Sequence, residues 1–211
     1  MGLFCYSPDD IVILTKSRKE AIEANIFAQS YLADKLNLQV NKEKSLITSV
    51  FSAQNFHFLG FSLGKGREGV FIRVHKQSLL KAKTKLKEIV TNGKYKTLRD
   101  VIKDADSYIH GWISYYSIAE MRDTLRKWDE WLRRCLRMRI WDEWRLPVIR
   151  IRYLKMLGVP SKQALTYSTM QDGWKIAGSP ILTCTITNKV LSEAGYHSML
   201  EYYNYLKANY S

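Results

Sequence analysis

The hydrophobic pattern of this 211-residue chain changes near residue 75. Before that point, short apolar runs predict strands at 11–15, 56–63 and 70–74, and one longer segment predicts an amphipathic helix at 18–36. From Ser78 onward the spacing is helical, and it predicts helices at 78–91, 97–117 and 120–140. Strands followed by a run of helices predict an α+β fold, in which a small β-sheet with one helix precedes a mainly α-helical region.

Two further helices are predicted after residue 140. A short helix near 161–169 should follow the turn at Gly158 to Pro160, and an amphipathic helix at the end of the sequence should pack on the preceding ones. The glycine-rich segment 64–69 lacks the Gly-Lys-Ser/Thr ending of a phosphate-binding loop. We therefore interpret it as the loop of a β-hairpin.

Two adjacent aspartates, Asp9 and Asp10, directly precede the predicted apolar strand at 11–15. Mg²⁺ prefers clustered carboxylate oxygens, and a polymerase palm presents such a pair at a tight turn between short strands. An aspartate pair after Pro8 is also ordinary turn chemistry, because proline presets φ and aspartates bond to nearby backbone amides. The turn by itself leaves both interpretations open.

Several further motifs follow in a fixed order. They are Asn41-Lys42-Glu43-Lys44-Ser45, Phe58-Leu59-Gly60-Phe61, Tyr108-Ile109-His110-Gly111-Trp112, Trp128-Asp129-Glu130-Trp131-Leu132-Arg133-Arg134 and Trp174-Lys175-Ile176-Ala177. Together with the aspartate turn, they resemble the C-terminal half of a group II intron reverse transcriptase, the bacterial protein that also serves as its intron's maturase. The resemblance covers essentially the whole chain. It implies a palm remnant at 1–75, a helical thumb at 76–140 and a maturase region at 141–211.

The resemblance also implies roles for individual residues. Asp9 would be a metal ligand, Asp10 its less direct partner, and Lys44 would lie near the phosphates of the incoming nucleotide. The primer-grip residues would be Phe58, Leu59, Gly60 and Phe61. The implied cofactor is Mg²⁺ in a complete polymerase site, and the implied partners are group II intron RNA and an RNA/DNA primer-template.

The sequence departs from the family at its start. Aligned without a gap, Ser7 and Pro8 stand where the family has tyrosine and alanine before the aspartates, whereas keeping Tyr6 as the tyrosine requires one inserted residue. The turn is altered in either alignment. The family's fingers and its first metal-binding aspartate would lie before Met1, so this chain alone is expected not to polymerise, since two-metal catalysis needs ligands on both sides of the ions. The alternative is an active reverse transcriptase in which a separate chain supplies the fingers and the missing palm segment.

The charge of the chain favours a nucleic-acid partner. Lys and Arg number 33 against 20 acidic residues, a net charge of +13, and residues 65–155 hold 23 of the basic and 11 of the acidic side chains. Such an excess attracts polyanions. We expect RNA binding in this block, while a nonspecific basic scaffold, a DNA-binding module and a merely solvated basic surface remain alternatives.

The segment 120–140 carries both a core stripe and a row of arginines. At 100° per residue, a stripe from Met121 to Leu136 falls within about 100°, and Arg122, Arg126, Arg133 and Arg137 fall within about 60° on a neighbouring face. Guanidinium groups suit phosphates because their donors bind bidentately. The alternative is a salt-bridged surface, with Asp129–Arg133 and Glu130–Arg134 as pairs. The predicted RNA-binding residues are Arg122, Arg126, Arg133, Arg134, Arg137, Arg150 and Arg152.

The sequence gives little sign of a membrane or an oxidising compartment. It has no run of 18 apolar residues, and its start lacks the pattern of a signal peptide. We therefore expect no membrane partner and a bacterial cytoplasmic location. Cys5, Cys135 and Cys184 are too far apart for zinc-finger spacing and are expected to be buried, reduced thiols.

Overall fold

The computed structural model describes residues 3–6, 11–41, 45–50, 56–67, 69–92 and 96–210. The chain divides into two compact units, residues 1–78 and 79–211. Within the described residues, short antiparallel strands come first and helices follow, which confirms the α+β prediction. The finer division into palm remnant, thumb and maturase region stays a prediction.

The first unit begins with a hairpin and a helix. Strands β1 (Leu3–Tyr6) and β2 (Ile11–Leu14) pair antiparallel, and α1 covers Arg18–Leu36. Helix α1 starts where the Ser17 side chain accepts a hydrogen bond from the Glu20 amide. It ends at Asn37, whose φ of 55° is the left-handed conformation that closes many helices. None of the residues of α1 is buried.

A second hairpin completes this unit. Strands β3 (Phe61–Gly66) and β4 (Gly69–Val74) are antiparallel, which confirms the predicted hairpin. Its loop is shorter than the predicted segment 64–69, because Gly66 already pairs with Gly69. Gly64 lies opposite Phe71, and a Cβ at Gly64 would stand 2.5 Å from the Phe71 ring. The Phe71 ring therefore packs against Gly64, and a larger residue at this position would displace the ring.

The second unit is helical throughout its described residues. After α2 (Lys76–Asn92) come α3 (Leu98–Tyr115) and α4 (Arg122–Glu143), close to the predicted bounds. The following helices are α5 (Pro147–Met156), α6 (Ser161–Ser168), α7 (Gly173–Ala177), α8 (Pro180–Thr185), α9 (Asn188–Glu193) and α10 (Met199–Tyr210). Helices α6 and α10 were expected from the sequence, whereas α5, α7, α8 and α9 were not.

The longest helix, α4, organises the core of this unit. All members of its predicted apolar stripe are buried: Met121, Leu125, Trp128, Leu132, Cys135 and Leu136. Helix α10 packs against both α3 and α4, as expected for a terminal amphipathic helix. Trp141, near the end of α4, is buried, and its ring contacts the Arg150 guanidinium of α5. Helix α4 therefore has a confirmed inner face.

The prediction of buried thiols is right for one cysteine and wrong for another. Cys135 is buried, and burial raises the pKa of its thiol to about 11. Cys184 is exposed, because it lies on the outer side of the short helix α8. Cys5 has no described side chain. No helix in the described parts of the chain is long and apolar enough to cross a membrane.

Candidate nucleic-acid interface

Two of the predicted arginines lie on the open surface of α4. Arg122 and Arg126 are exposed in the first turns of the helix. Arg126 forms an ion pair with Asp123 three residues earlier, and both side chains are largely in solvent. Exposed pairs of this kind stabilise a helix only weakly, so the Arg126 guanidinium can exchange its carboxylate for a phosphate.

An open cleft of about 560 Å³ lies beside the middle of α4. Its α4 wall is formed by Glu130, Arg133 and Arg137, and its second wall comes from α8, the start of α9 and the residue just before α9. The residues on that wall are Thr183, Thr187, Asn188 and Lys189. The cleft thus combines three cationic side chains, one carboxylate and several neutral hydrogen-bonding groups.

The structure places Arg137 differently from the helical-wheel prediction. Its side chain is buried, with Nε donating to the Ile186 carbonyl at 2.8 Å and Nη2 donating to Asn188 Oδ1 at 3.1 Å. Burial and the nearby Arg133 lower the pKa of the Arg137 guanidinium. The expected row of four exposed arginines is therefore wrong at Arg137, because the α8–α9 segment covers this end of the row.

Arg134 is also held by protein groups. Its Nε and Nη2 donate to the Trp174 carbonyl at 3.0 and 2.7 Å, and its guanidinium lies 4.0 Å from the centre of the Trp174 ring. A Cβ on Gly178 would come within 2.7 Å of the same guanidinium. Arg134 therefore joins α4 to α7. Neither the Asp129–Arg133 nor the Glu130–Arg134 ion pair occurs among the described residues, so the salt-bridged alternative is wrong for both pairs.

The last two predicted arginines, both on α5, have opposite environments. Arg150 is buried and donates to the carbonyls of Trp144, Ser168 and Met170 at 2.8, 3.1 and 2.9 Å. Arg152, two residues later, is exposed. The structure therefore does not offer Arg150 to a ligand, whereas Arg152 is accessible to one.

The predicted polymerase residues are only partly described. Asp9, Asp10 and Lys44 lie outside the described residues. Phe58 and Phe61 close a tight turn, with backbone N–H to O distances of 3.1 and 2.8 Å in the two directions. Leu59 and Gly60 at its tip have φ values of 49° and 81°, and positive φ at both central positions is typical of a type I′ turn. The primer-grip role of these residues stays a prediction.

No metal site is found in the part of the chain that is described. There, no three His, Cys, Asp or Glu side chains are grouped so that they could hold an ion. Mg²⁺ binding by Asp9 and Asp10 stays a prediction, because both residues lie outside that part.

Sequence reasoning missed the second wall of the cleft. Thr183, Thr187, Asn188 and Lys189 belong to two short helices with no strong periodic signal. The only sequence cues are Pro180 at the first position of α8 and Thr187, whose Oγ1 accepts a hydrogen bond from the Val190 amide at the start of α9. These cues predict where helices start. They do not indicate which residues of α4 the two helices contact.

The comparisons with known proteins agree with the position of this surface. Residues 79–156 match the family model described as the group II intron, maturase-specific domain. No curated protein matches the chain. The match covers α3, α4 and α5 completely and includes all seven predicted RNA-binding arginines. Over residues 79–156 the chain is therefore similar to the maturase-specific domain of group II intron proteins.

Proposed function

We propose that this chain binds folded group II intron RNA and thereby assists its splicing. The observation that carries the proposal is the open cleft on α4, the central helix of the segment that matches the maturase-specific domain. Arg133 of α4 and Lys189 of α9 both line this cleft. Two cations supplied by different helices can contact neighbouring phosphates of one backbone, which fixes the orientation of the RNA.

The charge of the matched segment supports a polyanionic ligand. Residues 79–156 contain 19 basic and 10 acidic residues. Arg122 and Arg126 extend the cationic surface along α4 away from the cleft. Phosphate contacts release counterions from the nucleic acid, so binding through this surface should weaken steeply with salt. The protein would recognise and stabilise the fold of the RNA, and the splicing chemistry would remain that of the intron.

A triple alanine variant at Arg122, Arg126 and Arg133 is the direct test. Arg134, Arg137 and Arg150 are left unchanged because each bonds to backbone carbonyls. We expect the variant to weaken binding to a folded group II intron RNA and to reduce the slope of log K against log salt by about 3, since each lost phosphate contact removes about 1. The measurement is a titration at several salt concentrations.

A charge-matched control separates specific from general attraction. Lys81, Lys85 and Lys87 are exposed on α2, and their replacement by alanine removes the same charge away from the cleft. We expect this control to keep the preference for the intron over an unrelated RNA of equal length. Equal losses in the two triple variants, or equal wild-type affinity for both RNAs, would instead identify a nonspecific polyanion binder.

A second candidate function is reverse transcription together with a separate chain that carries the fingers and the first palm aspartate. The surface of α1 favours it, because Ile26, Phe27 and Tyr31 are all exposed. Large apolar groups clustered on one helix are typical of a surface that another polypeptide covers. The β1–β2 hairpin has only two strands in the described residues, and such hairpins gain stability when further strands are added.

Primer extension in Mg²⁺ tests this candidate. We expect no product from the chain alone and a product when a fingers-and-palm chain is added, with loss of the product on Asp9→Ala. Phe27→Asp should prevent complementation, whereas Lys19→Asp, an exposed change on the same helix, should not. Failure of every added fingers-and-palm chain to restore extension would exclude this function.

A further inference from the structure

The outward face of α5 is unusually apolar. Val148 is 75% exposed and Met156 is 71% exposed, and Ile149 is also in solvent. Only Arg150 and Leu154 of this helix are buried. A surface helix normally turns its apolar side chains inward. Exposed apolar groups clustered on one face indicate a surface that contacts another molecule.

An aromatic pair lies at the edge of this face. The rings of Trp144 and Tyr153 are stacked, with centroids 5.0 Å apart and an interplanar angle of 18°. Tyr153 is 41% exposed, while Trp144 is half-buried behind it. The tryptophan holds the tyrosine ring in a fixed orientation. The accessible part of that ring can therefore receive a flat ligand with little loss of side-chain entropy.

The segment that follows Glu143, which includes all of α5, carries only positive charge. The sequence has no Asp or Glu between Glu143 and Asp172, whereas it has five Lys or Arg residues there. Arg145, Arg152 and Lys155 are exposed. At 100° per residue, Arg152 lies between Val148 and Met156 on the outward face. A ligand for this face should therefore carry negative charge and also present apolar, planar groups.

Unpaired RNA meets both requirements. Single-stranded nucleic acids bind proteins by stacking their bases on aromatic rings while cationic side chains contact the phosphates. We propose that α5 forms a subsite for unpaired bases, in which Tyr153, supported by Trp144, stacks on a base and Arg152 binds an adjacent phosphate. The proposal rests on the proposed RNA-binding function, but it uses residues that do not line the cleft.

The test compares two RNA probes that carry the same phosphate charge. One is a 12-nucleotide oligoadenylate, and the other is the same backbone with abasic sites. We expect the full chain to bind the first more tightly. Tyr153→Ala should weaken binding to oligoadenylate about tenfold, because one stacked base is worth that much on alanine substitution, and should leave binding to the abasic probe unchanged.

Matched variants define the result. Tyr205→Ala removes a tyrosine that is 62% exposed on α10 and should change neither affinity. Tyr153→Phe should keep the preference for bases, and Arg152→Ala should weaken both probes equally. A 2-aminopurine base in the oligonucleotide should lose fluorescence on the wild-type chain, which reports stacking independently of how well Tyr153→Ala folds.

The outcomes distinguish this subsite from the cleft. Equal wild-type affinity for the two probes, no change of 2-aminopurine fluorescence, or equal losses on both probes with Tyr153→Ala would each overturn the α5 proposal. Intron preference that depends on Arg133 could still be present in each of those cases. Conversely, a base-dependent affinity that Tyr153→Ala removes would support the subsite even if the cleft variant kept its preference for intron RNA.

Discussion

Replacing Asp129 by alanine is expected to lower the free energy of unfolding of residues 79–211 by about 4 kcal/mol. Asp129 is buried on α4, and its carboxylate accepts from the Ser198 hydroxyl at 2.7 Å and from the Met199 and Leu200 amides at 2.9 and 3.1 Å. The Tyr196 hydroxyl donates to the same carboxylate. One side chain thus satisfies four donors.

These donors belong to the start of α10, so Asp129 acts as the cap of another helix. The Met199 and Leu200 amides lie in the first turn of α10, where the helix itself provides no acceptor. A carboxylate is favourable at this end because of the helix dipole. Burial and the neighbouring Asp129 raise the pKa of the Tyr196 hydroxyl, which keeps it protonated as a donor. Alanine would leave all four donors without this acceptor.

The measurement is a urea denaturation curve recorded by tryptophan fluorescence. All six tryptophans lie between Trp112 and Trp174, so the signal reports on the second unit alone. Asp129→Asn should lower the free energy of unfolding by about 2 kcal/mol. The asparagine Oδ1 can still accept from two of the four donors, whereas its NH₂ group cannot accept from the other two. Asp123→Ala, on the exposed side of the same helix, should change stability by less than about 0.5 kcal/mol. Similar stability of wild type and Asp129→Ala would contradict the capping role.

Asp129 also shows how far sequence reasoning reaches. The apolar stripe of α4 was predictable because it depends only on helical periodicity, and the structure confirms every member of it. The partners of Asp129 lie about 70 residues away along the chain. Helical spacing pairs Asp129 with Arg133, because the two residues lie four positions apart on one helix. Local spacing cannot reveal that a distant helix end takes the carboxylate instead.

The same limit explains the arginines of the candidate site. Arg122 and Arg126 were predicted to be accessible and are, because the surroundings of the first turns of α4 are open. Arg137 faces the α8–α9 segment, whose residues come 49 and 51 positions later. An arginine that binds phosphate and one that binds backbone carbonyls have the same helical phase. Only the tertiary structure separates them, and the variants chosen for RNA binding must respect that separation.

Arg150 and Arg152 provide the sharpest comparison of these two kinds of arginine. Arg150→Ala is expected to lower the free energy of unfolding by about 4 kcal/mol, because it removes one buried and two partly buried hydrogen bonds to carbonyls and also removes packing from the core. The Arg150 guanidinium also lies 4.3 Å from the centre of the buried Trp141 ring, a contact that contributes up to about 2 kcal/mol when desolvated. Arg150→Lys should lose about 2 kcal/mol, because an ammonium cannot reproduce the planar fork.

Arg152→Ala should behave in the opposite way, with a stability change below about 0.5 kcal/mol and a clear loss of RNA affinity. Urea denaturation gives the stability of each variant, and an RNA titration gives the affinity of each. Together they distinguish a structural role for Arg150 from an RNA-binding role for Arg152. The titration is done at a temperature where Arg150→Ala remains folded, and there its RNA affinity should match that of wild type. A stable Arg150→Ala variant that fails to bind RNA would contradict the structural role of Arg150 and would show that its guanidinium binds phosphate instead of serving mainly to bond the carbonyls of Trp144, Ser168 and Met170.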